Sequence, residues 1–183
     1  MSNIKNIKGT KDILPENSFN IKKLEDYLHM YMRSYGYGEI RTPVFEHTEL
    51  FTRSIGNETD IVNKEMYSWI DQGGTSLTLR PELTASVVRS FNQHQLGNHS
   101  PINRLYYIDS LFRRERPQKG RLRQFSQFGI EALGSSFPEQ DAEVISIAYN
   151  IYQSLGIKNI KLKINTIGAS DIRKKYLQDL RSS

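Results

Sequence analysis

The sequence contains no cysteine. Disulfides, thiolate zinc centres and cysteine nucleophiles are thereby excluded. No apolar run approaches the ~20 residues of a membrane-spanning helix, so no such span is expected. The start, Met1-Ser-Asn-Ile-Lys-Asn, is polar and lacks a signal-peptide core, and a cytoplasmic location is expected. Histidine is scarce. His29, His47, His94 and His99 include no pair at the i, i+4 spacing of a zinc-peptidase helix. Glycine-rich phosphate loops are missing too. There is no G-x-x-x-x-G-K-[ST], and Tyr35-Gly-Tyr-Gly lacks the third glycine of a dinucleotide fingerprint. A phosphate bound here has to be met by side chains. Neither internal repeats nor low-complexity stretches occur.

What is present is a core and one concentrated charge. The 183 residues include 8 Phe and 10 Tyr and are 37% hydrophobic, enough for a packed interior. At ~100–200 residues per domain, the length fits one domain or slightly more. Formal net charge is +5, and residues 113–123, RRERPQKGRLR, carry an equal excess by themselves. Arg113, Arg114, Arg116, Lys119, Arg121 and Arg123 there face a single acid, Glu115. Clustered guanidinium groups suit phosphate, because each donates two parallel hydrogen bonds to an anion. A solvated basic loop is the plainer reading of such a run.

Apolar spacing predicts a helix over about 17–35 after an extended lead-in. Ile21, Leu24, Leu28, Tyr31 and Tyr35 form its stripe, Asn17 or Ser18 caps it, and Gly36 closes it. Glu39–Phe45 reads as a strand interrupted by Pro43, which belongs at a strand end or sheet edge. A short helix fits 48–55. Glu65–Ile70 and Ser76–Leu79 flank Asp71-Gln-Gly-Gly as a hairpin, and Pro81 with Glu82 opens a helix over about 82–93. Strands Arg104–Arg114 and Gln124–Leu133 follow, joined by the basic loop with Pro117 and Gly120 as turn residues. A helix over about 139–155 shows Ala142, Ile145, Tyr149 and Tyr152 on one side, with Gly156 as its stop. Lys161–Ile167 alternates as a strand, and a last helix covers about 169–180. This order predicts an α+β chain with an antiparallel sheet flanked by helices. The final strand and helix lack evident closure, so the sheet is expected to be incomplete.

Strand alternation puts Phe125, Gln127, Gly129 and Glu131 on one face, and Arg113 with Glu115 on one face of the partner strand. Phe125 offers a surface for stacking a base. Gly129 leaves room for a ligand over the backbone. Together these residues outline a pocket for an adenylate and a small cationic or amphoteric molecule. Singly, each has a plainer reading: Phe125 in a core, Glu131 in an ion pair, Gly129 in a bulge.

Phe112-Arg113-Arg114-Glu115, then Arg121-Leu-Arg123-Gln124-Phe125 and Glu131, resemble motif 2 of class II aminoacyl-tRNA synthetases. The longer string RERPQKGRLRQFSQFGIEALG resembles the histidyl-tRNA synthetase family. Lys8-Gly-Thr-Lys-Asp-Ile-Leu-Pro15 is similar to that family's N-terminal stretch, Tyr37-Gly-Glu-Ile-Arg-Thr-Pro43 to its motif 1 strand, and Leu79-Arg-Pro-Glu82-Leu-Thr84 to its amino-acid-binding turn.

The resemblance covers about residues 5–165 and implies a histidine–tRNA ligase. Such an enzyme activates histidine with ATP and passes it to tRNA(His). Arg113 is then the catalytic arginine, bridging the α-phosphate and the amino-acid carboxylate. Glu115, Arg121 and Phe125 join it at ATP. Glu82, Thr84, Arg113, Gln127 and Glu131 bind histidine, with Glu131 facing the imidazole. Arg116 and Lys119 meet the tRNA acceptor end. A homodimer through the motif 1 helix and strand is implied, and no membrane. Residues 1–183 correspond to the first part of the catalytic domain. Motif 3, the second histidine-binding segment, the acidic Mg2+ ligands and the anticodon-binding domain are missing, so no metal is expected in this chain and little activity from it alone.

Two rivals remain. One is the synthetase-like regulatory subunit of ATP phosphoribosyltransferase, a histidine sensor; the intact RPQKGR loop with Glu82 and Glu131 favours the ligase. The other is a nonenzymatic basic RNA-binding module, which leaves Glu82, Gln127 and Glu131 unexplained.

Overall fold

Proline sets the start of the first helix in the computed structural model, which describes residues 4–55, 65–165, 172 and 176–180. Helix α1 (Pro15–Ser34) has Leu14 at its N-cap and Pro15 in its first turn, where a missing N–H costs nothing. Asn17 and Ser18, expected as caps, lie inside the helix instead. The far end closes as expected. Gly36 takes φ +73°, its N–H donates to Arg33 O (3.0 Å), and the Tyr37 N–H donates to Met32 O (3.0 Å). That is a Schellman stop, which needs a residue tolerant of the left-handed conformation. The apolar stripe goes only partly inward. Leu28 and Met32 are buried, whereas Ile21 and Leu24 stay 37% and 40% exposed. Periodicity marks an apolar face without saying what covers it.

Pro43 divides the expected strand into two pieces that enter different sheets. They are β1 (Gly38–Glu39) and β2 (Phe45–His47). Helix α2 (Thr48–Ile55) follows, then the expected hairpin of β3 (Tyr67–Ile70) and β4 (Ser76–Leu79). The Asp71 carboxylate accepts the Thr75 N–H (2.7 Å) and ties that turn. Strands β2, β4 and β3 form one antiparallel sheet in that order.

Helix α3 (Thr84–Gln93) begins two residues after the expected start. Beyond a 3-10 turn at Leu96–Asn98 comes the long antiparallel hairpin of β5 (Asn103–Phe112) and β6 (Gln124–Leu133). The second sheet is not wholly antiparallel. β1 lies parallel to β5, with Gly38 opposite Leu105. A parallel neighbour requires a crossover, and local sequence pattern carries no sign of which distant strand supplies it.

Both faces of the β5–β6 hairpin are covered. On the even-numbered face, the Tyr106 hydroxyl bonds His29 Nδ1 of α1 at 2.8 Å. On the odd-numbered face, Tyr107 and Leu111 pack with Leu83 and Val87, edged by Leu105, Phe125 and Leu133. A buried cation links the two sheets. Arg80 is 0% exposed. It donates to Thr42 O (2.7 Å), Pro43 O (3.3 Å) and Ser110 O (2.9 Å), and it pairs with Asp109. Breaking one partner of a buried ion pair costs about 3–5 kcal/mol.

The chain divides into two compact units, Met1–Gln140 and Asp141–Ser183. Helix α4 (Pro138–Ser154) begins at the end of the first and runs through the second to the stop at Gly156, φ +74°. Its buried residues there are Ile147 and Ile151, while Tyr149 and Tyr152 of the expected stripe are half exposed. Residues 161–165 form no strand, and Leu162 and Ile164 are exposed. Alternation supplies two faces, but a strand also needs a neighbour for its N–H and C=O groups. Residues 166 and 167, and half of the expected helix 169–180, lie outside the described residues; 172 and 176–180 are helical. No helix among the described residues is long and apolar enough to cross a membrane.

Candidate functional site

The hairpin register decides which side chains meet. Phe125, Gln127, Gly129 and Glu131 stand opposite Leu111, Asp109, Tyr107 and Leu105. Arg113 continues β5 by one residue, its N–H donating to Arg123 O (2.9 Å). The Arg113 guanidinium lies over the Phe125 ring, 5.3 Å from its centroid, which puts it on the face of Phe125 and Glu131. Its Nε donates to Pro81 O (2.9 Å). The terminal nitrogens have no hydrogen-bond partner among the described residues. A fixed shaft with a free fork is the arrangement that a bidentate anion requires.

Glu131 sits at the far end of the strip. Its Oε1 accepts the Thr84 hydroxyl (2.7 Å) and the Tyr107 hydroxyl (3.3 Å), and Oε2 has no partner among the described residues. From Phe125 to Glu131 is six strand residues, about 20 Å. That length separates a stacking and cationic end from an acidic end. Exposed Gln127 lies between them, and its amide has no partner among the described residues.

Glu82 stands just before α3. Its carboxylate accepts the Ala85 N–H (3.0 Å to Oε1, 3.3 Å to Oε2), so it does cap the helix. Burial pushes the Glu82 carboxyl up. The N–H groups of Ala85 and Thr84 oppose that shift, and the charge of Glu131 adds to it. Two acids on one side of Thr84 leave this end short of positive charge, and a bound ammonium would relieve it.

The reading of Gly129 needs correction. The space over its backbone is filled by the Tyr107 ring, which a Cβ at Gly129 would overlap. The glycine makes room for an aromatic of its own sheet, not for a ligand. Tyr107 itself went unremarked in the sequence. Its signal was the pairing of a large aromatic opposite a glycine, legible once the register is known. Burial, then the Glu131 charge, pushes the Tyr107 phenol up to about 12.

The loop end is built differently. Gly120, φ +81°, and Arg121 N–H donating to Gln118 O (2.9 Å) form its turn. The Glu115 carboxylate, expected beside adenine, is paired with Arg121 at 3.4 Å. A cavity of ≈ 330 Å³ there is lined by Glu65, Glu115, Arg116, Pro117, Gln118 and Arg121. Arg116 and Lys119 are exposed. Remote backbone braces the stems: Arg123 N–H donates to Gly9 O (2.7 Å) and Arg114 N–H to Glu65 O (2.6 Å). Gly9 has φ +91°, and a Cβ there would lie 2.8 Å from Arg123 Cγ, so a side chain is excluded.

Known proteins share this arrangement of chain. The family model for histidyl-tRNA synthetase matches residues 9–179. The histidine–tRNA ligase of Chlorobium phaeobacteroides (strain BS1) is 52% identical over 183 residues, which is 100% of this chain and 42% of that protein. Among solved structures, apo S. aureus histidyl-tRNA synthetase superposes with a TM-score of 0.78 at 43% identity, covering 97% of this chain and 41% of the other. A Bacillus halodurans protein described as an ATP phosphoribosyltransferase regulatory subunit/histidyl-tRNA synthetase gives 0.71 at 26%, over 85% and 39%. The fold is therefore the class II aminoacyl-tRNA synthetase α+β fold, present in part. Within that class, the chain belongs to the histidyl-tRNA synthetase family. It spans about 42% of the length of the curated relative.

Proposed function

We propose that residues 1–183 are the motif 1 and motif 2 portion of a histidine–tRNA ligase catalytic domain, and that the intact protein makes histidyl-adenylate and transfers histidine to tRNA(His). The observation that carries this is the shared face of Arg113, Phe125 and Glu131, with Glu82 and Thr84 beside it. Adenylation brings a carboxylate onto the α-phosphate. Two anions approach, and charge grows on the phosphate oxygens. Arg113 bridges both through its free fork and lowers that barrier. Phe125 stacks the adenine from the opposite side of the guanidinium's reach. Glu82, Thr84 and Gln127 take the α-ammonium, and Glu131 accepts an imidazole N–H. An analogue lacking that N–H leaves a half-buried acceptor unpaired and binds less well.

In the loop, Arg121 meets the pyrophosphate, and Glu115 reaches the adenine amino group once ATP draws Arg121 away. Arg116 and Lys119 serve the acceptor end of the tRNA. ATP enters as a substrate with Mg2+ on its phosphates. The resemblance assigns the metal's protein ligands to the rest of the catalytic domain. The protein works in the cytoplasm as a homodimer through α1 and the strand before Pro43; exposed Phe19, Ile21 and Leu24 on α1 suit such a contact.

The test is ATP–pyrophosphate exchange by the polypeptide extended to the length of its relatives. Exchange that depends on histidine and falls roughly 100-fold or more in Arg113→Ala supports the reading. Exchange with a different amino acid refutes it. The Bacillus halodurans likeness supports one second reading, a histidine-sensing regulator. Histidine binding without any exchange would select it.

A further inference from the structure

We infer that Tyr107 is a positioning residue for Glu131: its hydroxyl occupies Oε1 together with Thr84, which reserves Oε2 for the ring N–H of a ligand. The inference rests on the reading of Glu131 as the acid that faces an imidazole. The geometry has four parts. Tyr107 and Gly129 are opposite in register, so the phenol lies across β6 toward Glu131 two residues on. The ring occupies the space a Cβ at 129 would need. Tyr107 is 5% exposed and packed among Leu83, Val87 and Leu111, so its direction is fixed. Both hydroxyls reach the same oxygen of Glu131.

An ionised carboxylate only accepts, so Thr84 and Tyr107 both donate to Oε1. With one oxygen doubly engaged, the carboxylate cannot rotate to offer either oxygen. The remaining acceptor has one direction, and it selects a ring nitrogen that bears hydrogen. Methylating that nitrogen removes the donor and adds bulk at the same point. Specificity then depends on a residue that never touches the ligand.

Two measurements test this in the polypeptide extended to the length of its relatives. Saturation-transfer NMR, suited to weak binding, compares histidine with its two ring-N-methyl derivatives. Wild type should prefer histidine strongly over one of the two. Tyr107→Phe, which keeps the ring, should shrink that preference roughly tenfold while amide spectra stay native. An unchanged preference overturns the proposal. The second measurement needs no ligand. The Tyr107 phenol, followed by carbon NMR, should titrate lower in Glu131→Gln, because the charge that opposes its ionisation is gone. No change there also overturns the proposal. Should wild type ignore histidine while the phenol responds to Glu131→Gln, the functional reading fails and the positioning contact stands.

Discussion

At the Glu131 end of the β5–β6 hairpin, side chains hold side chains. Thr84 and Tyr107 grip one carboxylate oxygen, and an aromatic ring fills the gap over Gly129. At the Arg121 end, backbone holds backbone. Gly9 O and Glu65 O brace the stems, and the side chains meet loosely, with exposed Arg121 3.4 Å from a largely covered Glu115. The contrast follows from what each end has to distinguish. Telling one ring N–H from its absence works over a single hydrogen bond and demands fixed partners. Attracting polyanions works through long-range charge and tolerates mobile arginines, provided the loop itself is anchored. One hairpin therefore carries a rigid selector and an adaptable electrostatic arm, with Arg113 at the junction, its shaft tied to Pro81 and its fork free.

That contrast predicts unequal sensitivity to substitution. Gly129→Ala should be the most damaging, since the new methyl group meets the Tyr107 ring in a packed face; a loss of about 1–3 kcal/mol in urea denaturation is expected. A variant as stable as wild type would show that the ring is not locked. Glu82→Gln should act through pH. A carboxyl whose folded value lies above its unfolded one costs nothing at low pH and imposes its full penalty above the folded value. Removing the Glu82 charge should therefore raise the melting temperature relative to wild type more at about pH 7 than at about pH 4. A difference that shrinks with rising pH would contradict the buried-acid description. Arg121→Ala should be the mildest, within about 1 kcal/mol of wild type, because its guanidinium is exposed and its contact with Glu115 is long, 3.4 Å. A larger loss would mean that the loop end is packed rather than braced.

Much of the hairpin was legible in the sequence. Alternation placed Phe125 and Glu131 on one face of their strand, the turn chemistry of Pro117 and Gly120 placed the loop between the strands, and the register then set Arg113 over Phe125. Pro43 marked a break correctly, because a residue without an N–H cannot serve a ladder. What escaped had non-local causes. Asn17 and Ser18 are good caps, but Pro15, directly after Leu14 at the N-cap, starts the helix earlier. That Ile147 and Ile151 of α4 turn inward, and not Tyr149 and Tyr152, depends on neighbours that no helical repeat names. The role of Gly129 was misread because a small residue looks like empty space until the opposite strand is in register. Residues 161–165 show the reverse error, a pattern of strand with no strand beside them among the described residues.

The pairing of Gly38 with Leu105 carries a consequence for how the molecule comes to be folded. A two-residue strand has no stability by itself, and its parallel mate is not synthesised until the whole β2–β4–β3 sheet and α3 have been made. Closing so long an intervening segment is slow, so the nascent chain holds α1 and the small sheet in waiting before the hairpin arrives. During that interval the apolar side of α1 has no permanent cover, and the translating chain is at its most vulnerable to association with the wrong partner.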